Sequence, residues 1–380
     1  MRWDDIYLSA CASWLPPVMP AEVAVARGLV GPVAVRRMQV TGVTVAEDPP
    51  PEMAARAARL ALDRAGLGPD EIGLILHSSS YYQGHDMWAP ASYVQRVAVG
   101  NRCPAVEIRQ TSNGGMASLE LAAAHLRATG GRAALLTTGD RFCPPGLDRW
   151  RSDPGTVLAD GASAVVVTRG EGFARLVSLV TVAEPDLEQM HRGEDPWGAV
   201  PFAVRRPVDV EETTQAFLRT PLGKRTVVLM ALRHTECLTA ALDEAGMKIG
   251  DVDRFVLPHF GRRRMDVNFF RRFGIDPDRT TWSWSRGIGH LGAGDQFAGL
   301  NRLVEHGQVR AGDRVLMLGV GGGFAWSAAL LEIERVPDWA ADVRAGVELS
   351  TIADPGPPSR LAQYDDCPSG TGARRESDGK

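Results

Sequence analysis

Residues 61–80 read ALDRAGLGPDEIGLILHSSS and residues 241–260 read ALDEAGMKIGDVDRFVLPHF, and the two stretches align without a gap at an offset of 180. Each carries the end of an amphipathic helix, a glycine that stops it, an acidic turn and a short apolar strand, LILH in one and FVLP in the other. Self-similarity of this kind signals duplication. Working outward, MASLELAAAHLRATGGRAALLTTGD (116–140) echoes QFAGLNRLVEHGQVRAGDRVLMLGV (296–320) as helix, glycine-bearing loop and buried strand. A third, weaker echo pairs ADGASAVVVTR (159–169) with GFAWSAALLEIE (323–334). Echoes in one order imply two similar α/β halves, residues 1–170 and 171–335, rather than unrelated domains. Their strands are continuous apolar runs, as sheets covered by helices on both faces require. Loops leaving equivalent strands then meet at a pseudo-two-fold axis, so a site should draw residues from both halves.

Two stretches fall outside this pattern. Residues 183–225 are rich in charge, proline and aromatics but lack a period, and they read as an insertion, a candidate lid. The segment 336–380 reads as a tail, polar and Pro/Gly-rich and expected to be disordered from about 353.

Composition narrows the function. The chain has 380 residues, 44% of them hydrophobic, enough for a large core. With 42 Lys+Arg against 46 Asp+Glu, its formal charge of -4 offers no field for gripping a nucleic acid backbone. No apolar run is long enough to span a membrane, and the opening MRWDDIYLSACASWL is too acidic for a signal peptide, so a cytoplasmic location is expected. Cys11, Cys103, Cys143, Cys237 and Cys367 are scattered without metal-ligand spacing and read as reduced thiols, with no metal. The GVGGG run at 319–323 lacks the helix and distal acidic residue of a dinucleotide loop, and no bound cofactor is expected.

Ser112 stands in EIRQTSNGGMASLELA, where a short strand turns tightly into a helix opening on two glycines. Unpaired N–H groups at a helix start can stabilise an oxyanion beside a serine held there. On spacing alone, the plainer reading is that Ser112 or Asn113 caps the helix.

The stretch VEIRQTSNGGMASLELA resembles the nucleophile turn of the ketoacyl-acyl carrier protein synthase III branch of the thiolase superfamily, and four further segments resemble it in the same order. These are SSSYYQGHDMWAPASYVQ (78–95), VLADGASAVVV (157–167), VLPHFGRRRMD (256–266) and GVGGGFAWSAALLEI (319–333). The resemblance implies a thiolase-like fold, two duplicated βαβαβ-type halves in a layered α/β/α/β/α sandwich, and a homodimer. It places the family's nucleophilic cysteine on Ser112 and its catalytic histidine on His259. It also gives Gly322 an oxyanion-hole N–H beside that of Ser112. Arg264, with Arg262 and Arg263, falls where the family docks its carrier protein.

The family's third residue, an asparagine, matches His290 in GHLGAGDQFAGL (289–300), and Asp295 lies five residues on. A serine nucleophile needs a base, and a carboxylate behind that base fixes its tautomer. Ser112–His259–Asp295 is the expected arrangement, with Ser112–His259–His290 as the rival. Without the asparagine, decarboxylative chain extension is disfavoured. Simple acyl transfer is expected instead, from phosphopantetheine on an acyl-carrier protein, a polyketide synthase carrier domain or coenzyme A. The acceptor expected is a small-molecule hydroxyl or amine, or a second carrier, in natural-product assembly. A starter-unit condensing enzyme, a thioester hydrolase and a non-catalytic synthase partner stand as alternatives.

Overall fold

A computed structural model describes residues 1–344. Its strands are β1 (Ile6–Trp14), β2 (Val18–Pro20), β3 (Gly42–Thr44), β4 (Ile72–Ser78), β5 (Ala105–Ile108), β6 (Ala133–Asp140), β7 (Gly161–Arg169), β8 (Ala174–Ala183), β9 (Arg254–Val256), β10 (Arg314–Gly321) and β11 (Ala325–Ile333). Nine of them form one sheet in the order β5-β4-β6-β7-β1-β8-β11-β10-β9, and β2 pairs with β3 apart from it. Read inward from each edge, β4-β6-β7-β1 is repeated by β9-β10-β11-β8, which is the duplication in three dimensions. The parallel pair β4 with β6 is matched by β9 with β10, each followed by antiparallel neighbours, and β5 adds a second parallel pairing to β4 in the first half. The halves join where β1 meets β8 at Tyr7–Arg175 and Leu8–Ala174. β5 has no full counterpart; a single bridge from Phe255 to Thr280 stands in its place.

The sequence echo has a local cause. The helices Pro50–Ala65 and Thr226–Ala245 both end at a left-handed glycine, Gly66 and Gly246. In the turns that follow, Glu71 and Asp251 each accept a backbone N–H from three residues back, at 2.8 Å from Gly68 and 2.8 Å from Lys248. Each acidic turn thus orients the strand behind it, β4 or β9.

The middle helices, Gly114–Thr129 and Asp295–Glu305, lie in a shared core. Met116, Leu119 and Leu126 of the first join Phe297, Leu300 and Leu303 of the second, all essentially sealed from water. Each such side chain stabilises the fold by about 1.5–3 kcal/mol. Because both helices sit in one core, their N-terminal turns are held side by side, and these turns carry the candidate site.

The insertion is folded. Its Leu187 and Phe217 are fully buried in the core of the second half, while Val208 and Val210 hydrogen-bond the backbone of Gly146 and Ser152. Part of the expected tail is also structured: Asp338–Arg344 forms a helix whose Trp339 packs edge-on against Phe173 and beneath the Arg64 guanidinium. The stretch from 353 lies outside the described residues. Among those described, no helix is long and apolar enough to cross a membrane.

Candidate active site

The chain leaves β5 at Ile108 and reaches Ser112 through Thr111, which adopts a left-handed backbone with φ 46°. That conformation is strained for a β-branched residue and persists only where its surroundings enforce it. Here they do: the Thr111 hydroxyl donates to the carbonyl of Gly322 at 3.2 Å. Next to it, the Asn113 amide donates to Gln110 Oε1 at 2.7 Å and to Ser327 Oγ at 2.8 Å. The end of β10 comes close because Gly321 has no side chain; a Cβ there would lie 2.4 Å from the carbonyl oxygen of Gln110. The GVGGG run therefore serves close packing against the nucleophile turn. Ser112, half-buried, is left at the head of the Gly114–Thr129 helix.

The matching turn of the second half delivers the other groups. His290 is clamped in a bridge to the 157–159 segment, its N–H bonded to the Val157 carbonyl and its carbonyl accepting from the Ala159 N–H, both at 2.8 Å. Asp295 begins the next helix, where the helix dipole favours a carboxylate. The two turns touch at Gly115, where a Cβ would meet the Ala293 oxygen at 2.6 Å.

Ser112 Oγ lies 2.7 Å from His290 Nε2, and His290 Nδ1 lies 2.5 Å from Asp295 Oδ2. With Nδ1–H donated to the carboxylate, Nε2 is the acceptor of the Ser112 hydroxyl proton. Burial acts to lower the pKa of His290, but the Asp295 carboxylate outweighs it and holds the imidazole above its usual 6.5. Burial acts to raise Asp295, yet the two imidazoles and the backbone donors keep it below the usual 3.8. Those donors are the N–H groups of His259 and Leu291, each at 2.8 Å.

The order of hydrogen bonds differs from that expected from sequence. His259 is in the site but does not partner Ser112. Its Nδ1 lies 2.9 Å from the Gly289 carbonyl and 3.2 Å from Asp295 Oδ1, and its Nε2 has no hydrogen-bond partner among the described residues. The reason is the placement of Asp295: one carboxylate faces both rings, and the ring nearer the nucleophile turn is His290. Burial pushes His259 below 6.5 despite Asp295.

The arginines also sort differently from the expected docking set. Arg264 is paired with Asp153 at 2.6 Å, with a second bond to Thr156, and still lines the groove described next. Arg262 is paired with Asp266 at 3.0 Å. Arg263 is exposed and makes no ion pair among the described residues. It lines a groove of about 880 Å³ with Arg37, Arg151, Trp150 and Met38, and that groove reaches Gly261, two residues past His259. A smaller polar groove of about 400 Å³ around Arg64 and Arg335 holds none of the candidate site residues.

Sequence reasoning missed two residues at the site. His191, from the patternless insertion, stands against Gly322, its ring edge-on to Phe324 with centroids 5.0 Å apart. Asp140 ends β6 and accepts N–H groups from Ser80, Tyr81 and Ala293, while burial pushes its carboxyl up to about 7. The placement of Asp140 at the end of the duplicated strand LLTTGD was the signal available. His191 had none.

The comparisons with known proteins agree with this architecture. The family description 3-oxoacyl-[acyl-carrier-protein (ACP)] synthase III matches residues 106–185, and that of its C-terminal region matches residues 242–333. The β-ketoacyl-[acyl-carrier-protein] synthase III of Neisseria meningitidis serogroup A is 26% identical over 286 residues, covering 74% of this chain and 83% of the relative. A Streptomyces coelicolor synthase III is 27% identical over 294 residues, covering 74% and 82%. Among solved structures, ChlB3, described as an acyltransferase, is 37% identical with a TM-score of 0.84, covering 88% of this chain and 100% of that one. Xanthomonas campestris OleA, at 20% identity and a TM-score of 0.71 over 87% of this chain and 99% of its own, shares the fold. With two thiolase-type halves, paired turns at their junction and these relatives, the chain belongs to the ketoacyl-[acyl-carrier-protein] synthase III-like branch of the thiolase superfamily.

Proposed function

We propose that this protein takes an acyl group from an acyl-carrier-protein or coenzyme A thioester onto Ser112 and passes it to a hydroxyl or amine acceptor, without decarboxylative condensation. The observation that carries this reading is the hydrogen-bonded chain from Ser112 Oγ through His290 to Asp295. His290 removes the hydroxyl proton as Oγ attacks the thioester carbon, and Asp295 stabilises the imidazolium that forms. The N–H groups of Ser112 and Gly322 are the candidate oxyanion donors. Membership of a family of acyl-transferring and condensing enzymes, and the likeness to the acyltransferase ChlB3, support the reaction class.

Two features favour transfer over condensation. The family's asparagine position holds His290, and that ring is engaged with Ser112 rather than open to an enolate. A serine ester is also the poorer acyl donor to carbon. Incubation with acetyl and malonyl thioesters tests this: the expected result is acyl transfer with no carbon dioxide released, and release matched by a ketoacyl product would favour a condensing enzyme.

The base sets the pH dependence. Only neutral His290 can accept the serine proton, and its pKa lies above 6.5, so the protonated, inactive form persists to higher pH. Acylation of Ser112 should rise with pH with a midpoint above 6.5, read from single-turnover rates. The donor's route is proposed along the groove rimmed by Arg37, Arg151 and Arg263. Rim charges act chiefly on encounter. Arg263→Glu should raise KM for a carrier-bound donor by roughly ten-fold, about 1.4 kcal/mol, with kcat unchanged and the effect fading in salt.

A further inference from the structure

His191 is a polar side chain at the site that the acylation chemistry leaves open. Its neighbours around the nucleophile are engaged: Thr111 on Gly322, Asn113 on Gln110 and Ser327, Asp140 on the N–H groups of Ser80 and Tyr81, and His290 on Ser112 and Asp295. The free Nε2 of His259 is sealed from solvent. His191, by contrast, is exposed, and its ring makes no hydrogen bond among the described residues. Yet enough protein surrounds it for burial to push its pKa below 6.5, with Asp153 opposing the shift and Arg264 adding to it. Both hold together for a ring that lines a cleft, not for one on the outer surface. That cleft borders the nucleophile turn, because a Cβ on Gly322 would lie 2.6 Å from His191 Nδ1 and 3.5 Å from Thr111 Oγ1. The insertion holds the ring in place. Met190 packs on the core of the second half and its carbonyl accepts from the Thr214 hydroxyl at 3.2 Å, Arg192 pairs with Glu188 at 2.6 Å, and Phe324 meets the imidazole edge-on.

A neutral imidazole offers one N–H and one lone pair, a match for a hydroxyl, which likewise gives one hydrogen bond and takes one. His191 does not bond Ser112, whose Oγ partner is His290. The hydroxyl that reacts must give its proton to His290, so a hydroxyl held on His191 is a second one on the same acceptor. We infer that His191 is a specificity-determining residue for the acceptor: it holds a hydroxyl adjacent to the one that is acylated, and the preferred acceptor is a diol. This rests on the acyl-Ser112 reading above. In the transfer step, the thiol has already left with the proton that His290 took from Ser112. The reacting hydroxyl then gives its own proton to His290 Nε2 as its oxygen bonds the acyl carbon. The bond from that carbon to Ser112 Oγ breaks, Oγ takes the proton from His290, and the second hydroxyl stays on His191 unchanged.

The test uses the full chain with p-nitrophenyl acetate as donor, whose burst of nitrophenol reports acylation of Ser112. Propane-1,2-diol and 1-propanol are compared as acceptors by the ratio of acetate ester to free acetate formed. The two alcohols share a carbon skeleton and differ in the second hydroxyl. In wild type the diol should give the higher ratio. His191→Phe keeps an aromatic edge against Phe324 and removes both ring nitrogens. Its burst and its ratio with 1-propanol should stay within about two-fold of wild type, while its ratio with the diol should fall about five- to ten-fold, the effect of one lost hydrogen bond. His191→Asn, which keeps a donor and an acceptor, should recover part of that loss. A diol ratio unchanged in both variants, an equal fall with both alcohols, or a burst lost along with the ratio overturns the inference. So does a wild type that favours neither alcohol. Absence of any burst in wild type would instead overturn the acyl-Ser112 reading, and this inference with it.

Discussion

Ser112→Ala should abolish acyl transfer, lowering the rate roughly 10⁴–10⁶-fold, while leaving stability within about 0.5 kcal/mol of wild type. The asymmetry follows from where the side chain sits. Ser112 is half-buried, and the one hydrogen bond its Oγ makes among the described residues is to His290 Nε2. The strained turn beneath it is held by neighbours, Thr111 on Gly322 and Asn113 on Gln110 and Ser327, and none of these bonds uses Oγ. Activity against thioester donors together with a thermal melt separates the two effects. A large drop in melting temperature would mean that Ser112 is chiefly a structural cap. Ser112→Cys supplies the complementary result: a thiol ionises far more readily than a hydroxyl, so this variant should still acylate and depend less on His290.

Asp295→Asn should be nearly as damaging to activity, about 10⁴-fold, and should cost stability as well. The carboxylate accepts from three directions, the N–H groups of His259 and Leu291 and the Nδ1 of His290, with the His259 Nδ1 a further 3.2 Å neighbour. An amide replaces one accepting oxygen by a donor, so at least one buried N–H then faces another. Losing such a bond in a sealed site costs about 1–3 kcal/mol. His290 would no longer be held with Nδ1 protonated, and the acylation midpoint should shift down, because the charge that raises its pKa is gone. The checks are a pH–rate profile for the shift and chemical unfolding for the stability. Full activity with only lower stability would reduce Asp295 to a structural role.

The fold was legible because duplication leaves the same local devices twice. Gly66 and Gly246 stop equivalent helices, and Glu71 and Asp251 close equivalent turns, so the echo in sequence is an echo in hydrogen bonds. The nearness of the candidate residues was legible for a related reason: the turns before the Gly114–Thr129 and Asp295–Glu305 helices are equivalent, and they bring Ser112, His290 and Asp295 together. What sequence could not order was which imidazole meets Ser112. That depends on the aim of one carboxylate, set by the backbone N–H groups of His259 and Leu291, and motif spacing carries no such information. The ion pair of Arg264 was hidden in the same way, because its partner Asp153 lies 111 residues away in sequence. His191 was invisible because the insertion carrying it is built from single anchors, Leu187 and Phe217, rather than from a periodic face.

The acyl-Ser112 ester is the centre of this account, and intact mass spectrometry tests it most directly. The wild-type protein and Ser112→Ala are each incubated with a panel of acyl-carrier-protein and coenzyme A thioesters and weighed. The account predicts an increment equal to the acyl group on wild type with at least one donor, absent from Ser112→Ala. No adduct on wild type with any donor, or the same adduct on both proteins, would contradict it.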